Sequence, residues 1–215
     1  MKNERLKKVF AHTFSPKAVT LYIIVAIYAA TAGLLYSGAA SRQFSNMLIS
    51  VSSYVVLAIS LNLVVGFLGE LSLGHAGFMS VGLFSGCMFS IATQGTLPLI
   101  VRMPIAMIIG GLAAAIVGLL VGLPALRLKG DYLAIVTLAC GEIINNIITN
   151  LDVTGGALGL NTSSIRSNSK TLLPYAIVLV LITAIVMINI ENSRHGRAIM
   201  AIRDNRIAAE AMGIN

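Results

Sequence analysis

The run MPIAMIIGGLAAAIVGLLVGLPAL, Met103 to Leu126, decides the fold: it is 24 residues long and carries no charge. An α-helix rises 1.5 Å per residue, so about 20 apolar residues cross the roughly 30 Å hydrocarbon core of a bilayer. Arg102 stands immediately before the run and the Arg127 to Asp131 cluster closes it. A stretch bounded in this way reads as a transmembrane helix. Its glycines at 110, 111, 118 and 122 put small residues on an expected helix-packing face, where backbones approach closely.

The same pattern recurs on both sides. Ala18 to Ala40 and Phe44 to Gly69 form a first and second uncharged span, and Leu71 to Thr93 a third. The third is glycine-rich (Gly74, Gly77, Gly82, Gly86), which permits a crossing helix but equally a broken or re-entrant segment. Tyr132 to Asn150 makes a fifth span and Leu172 to Ile190 a sixth. Across all 215 residues, 57% are hydrophobic and 11% charged, more apolar surface than a soluble core of this size buries. The expected fold is all-α, a polytopic transmembrane bundle of about six spans. A cytoplasmic N-terminal segment (1–17) precedes the transmembrane domain (18–190), and a C-terminal cytoplasmic segment (191–215) follows it.

The net charge of +7 reports topology rather than nucleic-acid binding. With the N-terminus inside, Lys2, Arg5, Lys7, Lys8 and Lys17, the Arg127 and Lys129 pair and the four arginines 194, 197, 203 and 206 all fall on the cytoplasmic side. Only Arg42, Arg102, Arg166 and Lys170 fall outside, so the positive-inside rule favours both termini in the cytoplasm and an even number of crossings. Cys87 and Cys140 lie within apolar runs and read as small hydrophobes, with no disulfide expected. The polar connection from Leu151 to Thr171 includes an Asn161-Thr162-Ser163 acceptor sequence, read as a chance match.

Four residues are candidate pathway-lining groups. Glu142 sits near the middle of the fifth span, where an ionised carboxylate costs about 2.5 to 3.5 kcal/mol on insertion scales. It either lines an aqueous route, with Asn145 adding polar surface one turn on, or ties two helices together. Asn62 either bonds to a neighbouring helix or faces the pathway, and His75 is read as a structural histidine or a pathway ligand. No G-x-x-x-x-G-K-[ST] loop, H-E-x-x-H or G-x-S-x-G is present. The chain is therefore not read as an enzyme, and no cofactor or metal is expected.

The tail SRHGRAIMAIRDNRIAAEAMGIN, Ser193 to Asn215, holds a second kind of signal. Asp204 or Asn205 can cap a short helix that Gly213 ends. On it Ile207 and Ala211, and Ala208 and Met212, fall four apart on one apolar face, with Arg206 and Glu210 paired outside that face. Such a helix docks a partner protein or lies on the membrane surface.

This tail, SLNLVVGFLGELSLGHAGFMSVGLFSG (Ser60 to Gly86) and GDYLAIVTLACGEIINNIITNLDVTGGALGL (Gly130 to Leu160) together resemble the inner-membrane permeases of branched-chain amino-acid ABC importers, of the LivM type. The resemblance implies a bacterial inner-membrane permease. It implies as partners a second permease subunit, two cytoplasmic ATPase subunits and a periplasmic amino-acid-binding protein. It assigns ATPase coupling to Arg197, Arg203, Ile207, Ala208, Glu210, Ala211 and Gly213. The chain departs from the family pattern at Asn205 and Arg206, where relatives carry acidic residues, and at Leu158, where they carry Asn. Similar permeases continue past this motif with further membrane helices. A C-terminally truncated sequence, unable to transport alone, is therefore expected. The rival reading is a secondary transporter or channel using Glu142 and His75.

Overall fold

The computed structural model describes residues 16–37, 41–125, 127–128, 130–156, 159–160 and 169–214. The basic N-terminal residues 1–15, Lys129, Leu158 and the 161–168 loop with Arg166 and the acceptor sequence lie outside the described residues. All regular elements described are helical: α1 (Pro16–Tyr36), α2 (Arg42–Asn62), a π-helical turn (Leu63–Leu68), α3 (His75–Ala92), α4 (Leu99–Ala125), α5 (Asp131–Asn150), a 3-10 turn (Asp152–Thr154), α6 (Ser169–Asn192), α7 (Arg194–Asp204) and α8 (Arg206–Ala211).

Among the described residues, five stretches are long and apolar enough to cross a membrane: Gln43–Leu68, His75–Ala92, Leu99–Ala125, Asp131–Asn150 and Thr171–Asn192. The expected first span corresponds to α1, 21 residues long, of which Tyr22–Thr31 is counted as a shorter apolar helix. The chain is a multi-pass, all-helical membrane protein. Polar side chains fit these spans because they satisfy themselves locally. In α2 the hydroxyls of Ser45, Ser50, Ser52, Ser53 and Ser60 each donate to a carbonyl three or four residues back.

The chain forms two compact units, Met1–Ser60 with Asn168–Asn215, and Leu61–Ser167. In the first, α1 packs on α6, whose Leu173, Val180 and Ala184 are buried at seven- and four-residue spacing, the repeat of one helix face. The Tyr28 hydroxyl donates to Ser52 Oγ at 3.0 Å and ties α1 to α2.

In the second unit α3 packs on both α4 and α5, and small residues set the approach. A methyl group added at Gly86 would lie 2.9 Å from the Ala106 carbonyl oxygen, and one at Gly110 would lie 2.5 Å from that of Gly82. The expected glycine face on α4 is thus corrected. Gly110 makes the contact together with Ala106, whereas added methyls at Gly111, Gly118 and Gly122 would meet no atom within 4 Å. The face is defined by what lies opposite: Gly82 and Gly86 of α3 meet Ala106, Gly110 and Ala114 of α4.

Two boundaries also move. The helical part of the third span begins at His75 instead of Leu71, because Gly69–Gly74 is not helical, and α3 itself is unbroken. The fourth helix begins at Leu99, after Pro98, and so takes in Arg102, which becomes a buried helix residue instead of a loop charge.

Candidate functional site

Two regions contain the expected site residues. The first is the interruption between α2 and α3. Past Asn62 the helix widens into the π turn Leu63–Leu68, and Gly69 (φ 74°) ends it in the left-handed conformation, its N–H donating to the Val64 carbonyl. π turns inside apolar helices are concentrated at functional sites. The Asn62 side chain is exposed and folds back along its own helix, where its amide would collide with any methyl added at Gly66.

The non-helical residues that follow press on α5. A methyl added at Gly74 would lie 2.7 Å from the Thr137 carbonyl oxygen, and one at Gly77 would lie 2.7 Å from Gly141 Cα. Gly77 is the third residue of α3 and Gly141 the eleventh of the twenty in α5. α3 therefore starts beside the middle of α5, and irregular backbone enters at membrane depth. Such backbone is tolerated only where protein satisfies its polar groups. Thr137, 7% exposed, does this: its Oγ1 accepts from the Leu73 N–H at 3.1 Å and donates to the Ala134 carbonyl at 3.0 Å. Thr137→Val keeps the shape but orphans the Leu73 amide, so unfolding should become easier by about 1 to 3 kcal/mol. Thermal unfolding together with hydrogen exchange at Leu73 tests this. Thr137→Ser should restore both, and an unchanged Leu73 amide in Thr137→Val would contradict the assignment.

His75 and Glu142 each directly follow one of the touching glycines, Gly74 and Gly141. The His75 ring is half-buried, edge-on to Phe78 at 6.4 Å between centroids, with Nδ1 buried and unpartnered. Glu142 is exposed, as are Asn145, Asn146, Thr149 and Asn150. Asn146, Thr149 and Asn150 bond only to carbonyls of their own helix, and no partner of the Glu142 carboxylate is found among the described residues. The result is a polar stripe along one face of a spanning helix. It does not join His75 to Glu142 by any described hydrogen bond.

The second region is the tail. α6 ends at Asn192, and the chain turns at one residue, Ser193, in an extended conformation (φ −71°, ψ 163°). Ser193 Oγ donates to the Ile190 carbonyl at 2.7 Å and accepts from the Gly196 N–H at 2.9 Å, capping α7. Gly196 is buried against that same Ile190 carbonyl. Arg197 Nη1 donates to the Asn192 carbonyl at 2.7 Å, so this expected coupling residue also closes the C-terminus of α6. Arg203 pairs with Asp204 at 2.7 Å.

α8 has six residues, too few to hold itself, and is fixed by its caps. Asn205 Oδ1 accepts from the Ala208 N–H at 3.1 Å. At the other end Gly213 (φ 82°) donates to the Glu210 carbonyl and Ile214 to that of Ala209, a Schellman closure. Arg206 and Glu210 pair at 2.8 Å but are over half exposed, a contribution below about 1 kcal/mol. Ala209 faces inward at 4% exposure, while Ile207 is 82% and Met212 83% exposed, with Ala208 and Ala211 also at the surface. The tail therefore presents an apolar face, with Ile207 and Met212 more than four-fifths exposed among the described residues.

Sequence reading missed Thr137, Gly196 and Arg102. Thr137 is disguised by its apolar neighbours, and Gly196 by lying between the polar residues His195 and Arg197.

Residues 43–215 match the family described as branched-chain amino acid transport system / permease component. The chain is 40% identical over 113 residues to the high-affinity branched-chain amino acid transport system permease protein LivM of Escherichia coli (strain K12), covering 50% of this chain and 24% of that protein. It is 30% identical over 197 residues to the protein of the same name from Salmonella typhimurium, covering 75% of this chain and 44% of the relative. To the probable LivM of Methanocaldococcus jannaschii it is 30% identical over 203 residues, covering 79% and 59%. The chain thus spans less than two thirds of the length of each of these relatives. No solved structure matches. With the match running from the start of α2 through α8, the chain belongs to the branched-chain amino acid transport system permease family.

Proposed function

We propose that this chain is part of the permease subunit of an ATP-binding-cassette importer that moves branched-chain amino acids across the bacterial inner membrane. Residues 1–17 form its cytoplasmic N-terminal segment, 18–190 its transmembrane domain and 191–215 its ATPase-coupling segment, with both termini cytoplasmic. ATP is hydrolysed on two separate ATPase chains, a second permease subunit completes the pathway, and a periplasmic binding protein delivers the amino acid. Asn62, His75, Glu142 and Asn145 line the route.

The observation that carries this reading is the double-capped α8, whose Ile207 and Met212 are more than four-fifths exposed. A helix held by its own caps transmits force as a rigid unit, and its uncovered apolar face fits a groove on a cytoplasmic partner. In this reading Arg203, Ala208, Glu210, Ala211 and Gly213 shape or surround that contact. Ala208→Asp tests it. The residue is exposed, and a carboxylate in the first turn suits the helix dipole, so α8 stays folded. A charge on the docking face should weaken association with the ATPase about tenfold, or ~1.4 kcal/mol, with membrane insertion unchanged. Co-purification of the ATPase at the wild-type level would count against the assignment.

A further inference from the structure

Along α3 and α4, the backbone contacts run in antiparallel register: Gly82 meets Gly110, and Gly86 meets Ala106. Extending that register by four residues on each helix points to Ser90 across from Arg102. Ser90 is 2% and Arg102 5% exposed, and both the Ser90 Oγ and the Arg102 Nε are buried with no hydrogen-bond partner. Ser90 is unusual on its helix, because Ser80 and Ser85 of α3 and Thr93 just beyond it each satisfy their hydroxyls on nearby carbonyls. Residues 71–130 contain no Asp or Glu, so neither helix supplies a counter-charge.

A guanidinium cannot shed its proton, and one whose Nε is buried between helices without an acceptor is disfavoured until an anion reaches it. Its planar fork matches a carboxylate, and a hydroxyl beside it adds a third donor. We propose that Arg102 and Ser90 form a carboxylate-binding pair at the end of the α3–α4 hairpin. The carboxylate comes either from an acidic side chain of an adjoining polypeptide or from the transported amino acid, the latter source resting on the transport reading above.

The test uses Arg102→Met, Arg102→Lys and Ser90→Ala in the complete permease complex, with the unfolding midpoint and the KM for leucine uptake into proteoliposomes as readouts. If the carboxylate belongs to a neighbouring polypeptide, Arg102→Met lowers the midpoint by several degrees at unchanged KM. If it belongs to the substrate, KM rises about tenfold at unchanged midpoint. In both cases Arg102→Lys, which keeps the charge, is impaired less than Arg102→Met, and Ser90→Ala shifts the same readout more weakly. A midpoint that rises in Arg102→Met, or both readouts unchanged, means an unpaired cation and overturns the proposal. So does an Arg102→Lys variant as impaired as Arg102→Met, which marks a packing defect. A wild-type complex that takes up no leucine would refute the transport reading instead, leaving the midpoint alone to decide for or against the pair.

Discussion

Gly77→Val should be strongly destructive in the residue 61–167 unit. A Cβ at this position would lie 2.7 Å from Gly141 Cα and 2.8 Å from the Gly141 carbonyl oxygen, and both are backbone atoms in the middle of a helix. No rotamer change relieves that contact, so α3 must move off α5. The displacement would also pull Leu73 away from Thr137 and re-expose an amide at membrane depth. The expected cost is about 3 kcal/mol, the upper end for overpacking, before the lost hydrogen bond is added. Gly95→Ala is the control, since a methyl there meets nothing within 4 Å. Unfolding midpoints of the two purified variants decide the matter. Equal midpoints would show that α3 does not seat on α5 as described.

The second large effect is expected at Gly196. Its added Cβ would overlap the Ile190 carbonyl oxygen and lie 3.3 Å from Glu191 Cα. The Ile190 carbonyl already accepts from Ser193 Oγ and from the Ser193 N–H at 3.1 Å, so the corner has no slack. Gly196→Val should therefore swing α7 and α8 out of place while leaving the membrane spans intact. The cost at the corner is about 2 to 3 kcal/mol. Under the proposed coupling role, ATPase association should fall more steeply than with Ala208→Asp, because both α7 and α8 are displaced. Faster proteolysis within 193–214, with unchanged membrane insertion, would accompany it. Wild-type association and wild-type protease resistance would contradict the prediction.

The spans were legible because a long uncharged run admits few other readings. α4 and α6 extend two to four residues beyond the limits that their nearest charges suggest, and that is where sequence reading failed. Arg102 reads as a loop residue since a charge normally marks the end of a span, yet Pro98 starts the helix one turn earlier and Arg102 is buried within it. The glycines of α4 could not be sorted from sequence. Gly110 and Gly118 look alike until the position of α3 is known, and only Gly110 is contacted.

The caps of α8 were readable, since Asn205 and Gly213 act through backbone groups a fixed number of residues away. The break before α3 was only half readable. Its glycines allowed an interruption, but the hydrogen bond that makes it tolerable comes from Thr137, 64 residues further along the chain. The role of Glu142 was not legible, because its side chain is exposed and no described residue pairs with its carboxylate.

What drives transport decides the role of α7 and α8. Proteoliposomes containing the complete permease with its second permease subunit, ATPase and binding protein should accumulate leucine only when ATP is supplied on the side bearing α7 and α8. Accumulation should disappear in Gly196→Val. Leucine uptake driven by a proton gradient without ATP, or ATP-driven uptake that survives displacement of those two helices, would contradict the coupling role assigned to them.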